Sequence, residues 1–340
     1  ALSKCRLGPS LASWGPVSFC GSCIRNPAMY GRVAILVLVL GFCCAGYLTL
    51  GVRGDWGFVL TLRLQKLIAL LLIGLAMAWA TVIFQTITHN RILTPSIMGF
   101  DALYLLLLSA MVWGLGAQKY HALPTQGVFV ANIVLLCGAA LILFGTVLRA
   151  GQGDLMRLVL TGVVLSVLFR SATSYLQRMI DPNEYAVIQA SSFASFSGID
   201  TELIGLAVLL TIATCFMIWT MRHRLDVLAL GTVMSTSLGE RPDQGQRIVL
   251  VFVSILVSVS TALVGPVTFF GLLVTSLTYL ITPVHRHSIL LPVSALVAGI
   301  ILVGGQTLME RIFAMSTPLS VVVEFAGGLV FLGLLLRSFR

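Results

Sequence analysis

The run Leu67-Ile-Ala-Leu-Leu-Leu-Ile-Gly-Leu-Ala-Met-Ala-Trp-Ala-Thr-Val-Ile-Phe84 holds 18 residues without one charge, and it decides the solvent in which this chain folds. At the rise of an α-helix it reaches about 27 Å, close to the hydrocarbon thickness of a bilayer. It is apolar on every side, as a buried or membrane helix is and a surface helix is not. Comparable runs recur along the chain. The pattern predicts about ten spanning helices, near residues 33–51, 64–85, 98–116, 126–148, 155–178, 203–221, 247–264, 268–283, 289–309 and 320–337. The eighth is short and follows Gly265-Pro266, so it is expected to be tilted or broken. Pro292 is placed in the first turn of the ninth, where proline costs no helix bond.

Composition leads to the same solvent. Of 340 residues 58% are hydrophobic and only 10% charged, with a mean hydropathy of +1.02, against roughly 25% charged in soluble domains. A water-soluble fold is excluded. The formal charge of +9 does not point to nucleic acid, because the cations gather in short loops between apolar runs. With the amino terminus in the cytoplasm, about two thirds of the basic residues fall inside, so the positive-inside rule favours cytoplasmic termini at both ends. Asp181, Glu184, Asp200 and Glu202 mark a polar segment on the opposite side. Met29-Tyr-Gly-Arg32 reads as the natural start. Residues 1–28 are then an unstructured upstream extension, and residues 29–340 one transmembrane domain.

No phosphate loop of the GxxxxGK[ST] type, no HExxH and no GxSxG occurs, so nothing here is armed to hydrolyse a nucleotide or to attack a substrate. Cys20-Gly-Ser-Cys23 supplies half a zinc site at most. His89, His121, His223, His285 and His287 sit at expected loops or helix ends and read as solvated. No metal site or cofactor is expected on the chain. Ionisable residues inside a membrane are costly and default to functional candidates. Asp101 and Glu324 each lie about one turn into a helix, where an interfacial role suffices. Arg170 stands mid-helix with Ser166, Thr173 and Ser174 one turn away, a polar stripe suited to a water-filled path or to structural pairing.

Six segments occur in order: Phe58 to Lys66, Gln85 to Gly99, Leu225-Asp-Val-Leu-Ala-Leu-Gly231 with Ser237-Leu-Gly239, Gly265-Pro-Val-Thr-Phe-Phe-Gly-Leu272, Leu291-Pro-Val-Ser-Ala295 and Thr317-Pro-Leu-Ser-Val321. Together they resemble the FecCD-type permeases, the membrane subunits of bacterial ABC importers for iron-siderophores, haem and cobalamin. The resemblance covers the chain from about residue 33 onward. It implies an all-α polytopic fold of the type II ABC importer permease in the bacterial inner membrane. The implied partners are a second permease subunit, alike or different, two ATP-binding subunits that hold ATP and Mg, and an extracytoplasmic siderophore-binding protein.

The same resemblance assigns roles to residues. The cytoplasmic loop at 225–246 is implied to dock on the ATPase, through Leu228, Leu230, Gly231, Ser237, Leu238 and Gly239, with Leu225, Val233 and Met234 adding apolar surface. The turn Arg149-Ala-Gly-Gln-Gly-Asp154 is implied to form an inner gate, with freedom from Gly151 and Gly153. Arg63, Lys66 and Arg311 are implied to meet acidic residues of the binding protein, with snorkelling membrane anchors as the other reading of Arg63 and Lys66. Thr275, Ser276 and Tyr279 replace the family's proline, histidine and arginine, and Gln306, Glu310 and Arg311 depart from its usual acid and arginine. The wording favours the ferric-siderophore branch over the cobalamin branch. An ion-coupled secondary transporter, or a permease for haem or cobalamin, is the alternative.

Overall fold

The computed structural model describes residues 27–51, 56–116, 120, 122–150, 155–181, 185, 188–189, 194, 196, 201–313 and 319–338. Over these the chain is helical, with no strand among the described residues. The helices are α1 (Pro27–Thr49), α2 (Trp56–Thr88), α3 (Asp101–Leu115), α4 (Thr125–Ala150), α5 (Leu155–Met179), α6 (Thr201–Thr220), the short α7 (Arg222–Leu228) and α8 (Thr232–Ser237), α9 (Pro242–Val264), α10 (Phe270–Ile281), α11 (His287–Arg311) and α12 (Leu319–Ser338). A π-helical turn, Ser96–Phe100, leads into α3. All ten expected spans coincide with a helix. Seven of the described helices are long and apolar enough to cross a membrane on their own, and α10 is shorter, at 12 residues. The second half of α5 is the more polar one, carrying Arg170, Ser171, Thr173, Ser174, Gln177 and Arg178.

Burial sorts the helices into centre and rim. The apolar window of α2 is 83% buried and that of α1 only 6%, so α2 is the axis of the bundle and α1 lies at its rim. Helices α6, α9, α10 and α11 pack around α2, α1 lies on α11, α4 on α9, and α3 on α5. Close approach of α10 to α2 depends on Gly271, because a Cβ there would collide with the Thr81 side chain. Trp79 of α2 donates from Nε1 to the Leu291 carbonyl at 2.9 Å, joining the axis to α11 in the buried interior.

Two local expectations are corrected. Helix α11 begins at His287, so Pro292 lies in its second turn rather than its first and removes the bond to the Ser288 carbonyl. Helix α2 begins at Trp56, eight residues before the expected start. Its first two turns are largely exposed and extend it beyond what a bilayer requires.

Candidate functional site

The segment from Leu225 to Gln246 contains an apolar knob. Helix α7 ends at Leu228, and a turn through Ala229, Leu230 and Gly231 reverses into α8. Gly231 at φ 91° and Gly239 at φ 83° bracket α8, in backbone conformations that favour glycine. This short, twice-turned path leaves Leu230 58%, Val233 77%, Met234 61% and Leu238 64% exposed. Leu225 and Leu228 face inward instead, and the Leu228 side chain lies against Gly245. Arg224 on α7 donates from Nε to Glu240 Oε1 at 3.0 Å, closing the base of the knob. That pairing, by side-chain hydrogen bond first, holds the Arg224 guanidinium above its ordinary range. Of the residues expected here, Leu230, Ser237, Leu238 and Gly239 are exposed on the knob, whereas Leu228 anchors it.

At the other end of α2 the basic candidates have unequal surroundings. Arg63 donates from Nη1 to the carbonyls of Tyr47, Leu48 and Leu50 at 3.2, 2.9 and 2.9 Å, and from Nη2 to Gly51 O at 3.3 Å. Tyr47 and Leu48 lie in the last turn of α1, whose carbonyls have no intrahelical partner, and Leu50 and Gly51 in the turn that follows, so Arg63 caps the end of α1 from α2. Arg311, at the end of α11, also donates to Gly51 O, at 3.3 Å. The structure therefore brings Arg63 and Arg311 to one carbonyl. Arg311 is exposed, and Lys66 stands one turn along α2 from Arg63. Beside them Gln306 Nε2 donates to Glu310 Oε1 at 2.8 Å. A four-carbonyl cap leaves no trace in a sequence pattern.

Arg170 is exposed on α5, in an open depression of about 430 Å³ that Val167, Ser171, Ser174, Tyr175 and Arg178 also line. The stripe that accompanies it differs from the expected one. Ser166 is buried and donates to Ile97 O and Gly162 O, and Thr173 is buried and donates to Phe169 O. Both hydroxyls point into the protein, and only Ser174 of the three shares the open face. Asp101 is buried in the first turn of α3 and Glu324 is partly buried on α12. Gly151, Gly153 and Asp154 lie outside the described residues, as do residues 1–26. One histidine is misread by sequence: His287 is only 2% exposed and forms the first turn of α11. Its spacing to other residues gives no signal of this.

Comparison with known proteins adds the following. The family model of the FecCD transport family matches residues 34–337. The chain is 39% identical over 311 residues to the petrobactin import system permease protein YclO of Bacillus subtilis, covering 91% of this chain and 99% of that one. To the petrobactin import system permease protein FatC of Bacillus anthracis it is 30% identical, over 81% of this chain and 78% of that one. In fold it is similar to a chain described as a metal-chelate type ABC transporter in an inward-facing conformation, with a TM-score of 0.77, 20% identity, and coverage of 91% of this chain and 99% of that chain.

Proposed function

This chain belongs to the FecCD transport family, and from that premise we propose that it is the permease through which a ferric siderophore of the petrobactin kind crosses the inner membrane. It is a multi-pass membrane transport subunit and not itself an ATPase; ATP and Mg belong to partner subunits. The likeness to two petrobactin permeases, over 91% and 81% of this chain, carries the substrate reading. The coupling reading rests on the knob of α7 and α8. Four large apolar side chains held out on a braced turn are suited to a cleft on another protein.

In this reading the ATPase seats on Leu230, Val233, Met234 and Leu238, and both termini are cytoplasmic. Lys66, and Arg311, which gives the cap a single donor at Gly51 where Arg63 reaches four carbonyls, steer the binding protein on the opposite side. The polar half of α5 is unsuited to lipid and is not enclosed by the described residues. It therefore faces a second permease subunit across a wet path, with Arg170 and Arg178 along it. The glycines at 151 and 153 would belong to a gate at the inner end of that path.

Uptake of a panel of labelled ferric siderophores, haem and cobalamin by cells whose own permeases are deleted tests the substrate. The expected result is import of ferric petrobactin that stops when the ATPase subunit is inactivated. Import of haem or cobalamin instead would move the chain to another branch of the family, and import that persists without an ATPase would replace the mechanism with ion coupling.

A further inference from the structure

Helix α7 is joined to the body by a contact that the knob does not use. Asp226 Oδ1 accepts from the backbone N–H of His287 at 2.7 Å and lies 2.7 Å from Nδ1 of the same residue. On the far side of the ring, Nε2 lies 2.8 Å from Thr86 Oγ1, near the end of α2. A threonine hydroxyl has one proton, and the Val82 carbonyl lies 2.9 Å away to receive it. The Asp226 carboxylate can only accept, which sets the donor at Nδ1, and Nε2 pairs with the Thr86 hydroxyl on the other side of the ring. The His287 amide is one that the first turn of α11 leaves without an intrahelical partner, and its own N-cap residue Arg286 supplies no side-chain bond. Asp226 caps α11 from a different element.

The setting makes these bonds the directional part of the joint. The covalent link between α6 and α7 runs through Met221, whose backbone at φ −88°, ψ 2° departs from α-helical values and bends the chain there. Leu225 and Leu228 bury apolar surface at the joint, but such contact is non-directional and permits sliding. A cavity of about 390 Å³ opens beside the relay, lined among others by Gln85, His89, Arg91, Tyr279 and His285, so packing alone does not fix the register. Burial pushes the Asp226 carboxyl up, yet the hydrogen bonds from the His287 side chain and backbone outweigh it and hold the group below its ordinary range.

We propose that Asp226, His287 and Thr86 form a clasp that ties α7 to the adjoining ends of α11 and α2, so that motion imposed on the knob is delivered to those two helices rather than lost at the Met221 bend. His287 is here a positioning residue for coupled transport. The inference rests on the reading of α7 and α8 as the ATPase-docking element. It adds where the stroke goes: into the buried axis of the bundle and the helix packed along it.

The test uses the full complex of permease subunits, ATPase and binding protein in liposomes, with radiolabelled ferric petrobactin. Asp226→Ala and His287→Gln should each retain the ATPase on purification and keep basal hydrolysis, but move at least tenfold less chelate per ATP. His287→Asn should recover most of the loss, because an asparagine amide reaches the place of Nδ1 and restores the bond to Asp226, whereas a glutamine amide reaches only the place of Nε2. A purely structural role would not sort the two amides this way. Thr86→Val cuts only the α2 arm and is the milder variant if Asp226→Ala fails to assemble; a loss of about threefold per ATP is expected. Unchanged chelate per ATP in His287→Gln and Thr86→Val would overturn the clasp. Leu238→Asp separates the two readings: loss of ATPase binding there with normal coupling in the clasp variants refutes the clasp alone, while retained binding and coupling in Leu238→Asp refutes the docking element itself.

Discussion

Replacing Arg63 by methionine keeps much of the side-chain volume and removes the guanidinium that spans the end of α1. Four carbonyls lose a donor, but not equally. Those of Tyr47 and Leu48 are partly buried, while those of Leu50 and Gly51 are exposed and gain water in exchange. One Nη1 serves three of the four, so the partly buried pair counts as about one charged hydrogen bond, worth roughly 1.5–3 kcal/mol. Loss of a cation at a helix C-terminus adds about 0.3–1 kcal/mol. The expected cost is therefore about 2–4 kcal/mol, seen as a fall of several degrees in the thermal unfolding midpoint of the purified protein in detergent. Arg63→Lys should recover about half, because an ammonium keeps the charge but lacks the fork. Lys66→Met, one turn along the same helix, should leave the midpoint unchanged. An unaltered midpoint for Arg63→Met together with weakened binding-protein affinity would refute the cap and return Arg63 to the docking surface.

Leu238→Asp puts a charge where a leucine is 64% exposed and awaits a partner; it should abolish copurification of the ATPase subunit, whereas Arg241→Ala at the rim should change retention less than threefold. Lys66→Glu with Arg311→Glu should weaken binding-protein association severalfold at low salt and much less at about 0.5 M, where exposed charges are screened; equal weakening at both would exclude steering. Arg170→Gln with Arg178→Gln should slow uptake without lowering the amount of folded subunit, and unchanged uptake would remove α5 from the path. Acid should loosen α7: a carboxyl held below its ordinary range stabilises the fold above that range, and the contribution is lost as pH falls through the lowered value, below about pH 4. Protease cleavage near Met221 should rise over that interval in the wild type and be insensitive to it in Asp226→Asn.

Hydropathy alone located a helix at each of the ten expected spans, because lipid demands long uncharged runs and the chain supplies them in series. Ends were less legible. Trp56 to Arg63 is as apolar as a span yet lies beyond one, and Pro292 reads as a first-turn proline only if the two residues before Ile289 are left out of the helix. Word-like segments single out residues 225–246, but not which leucine faces which way: Leu228 and Leu230 are two positions apart, one buried and one exposed. The stripe around Arg170 was assigned by helical spacing, which fixes neighbours on a face and not the face that is free. Arg63 and His287 were the hardest to read. Their roles depend on carbonyls and side chains distant in sequence, and charge pattern is silent about those.

At 12 residues α10 is about 18 Å long, well short of the roughly 30 Å that a bilayer presents. The approach to it, Gly265 to Val267, is irregular backbone, buried within the protein and interrupted by a proline that offers no donor. Such a segment is tolerated at membrane depth only when other helices already surround it. The consequence lies in biogenesis. As α10 leaves the ribosome it lacks the length to partition into lipid unaided, so it must wait at the insertion machinery until α11 emerges and enter together with it. A nascent chain stalled just after Ile281 would then leave α10 accessible to water, and one extended past Arg311 would not.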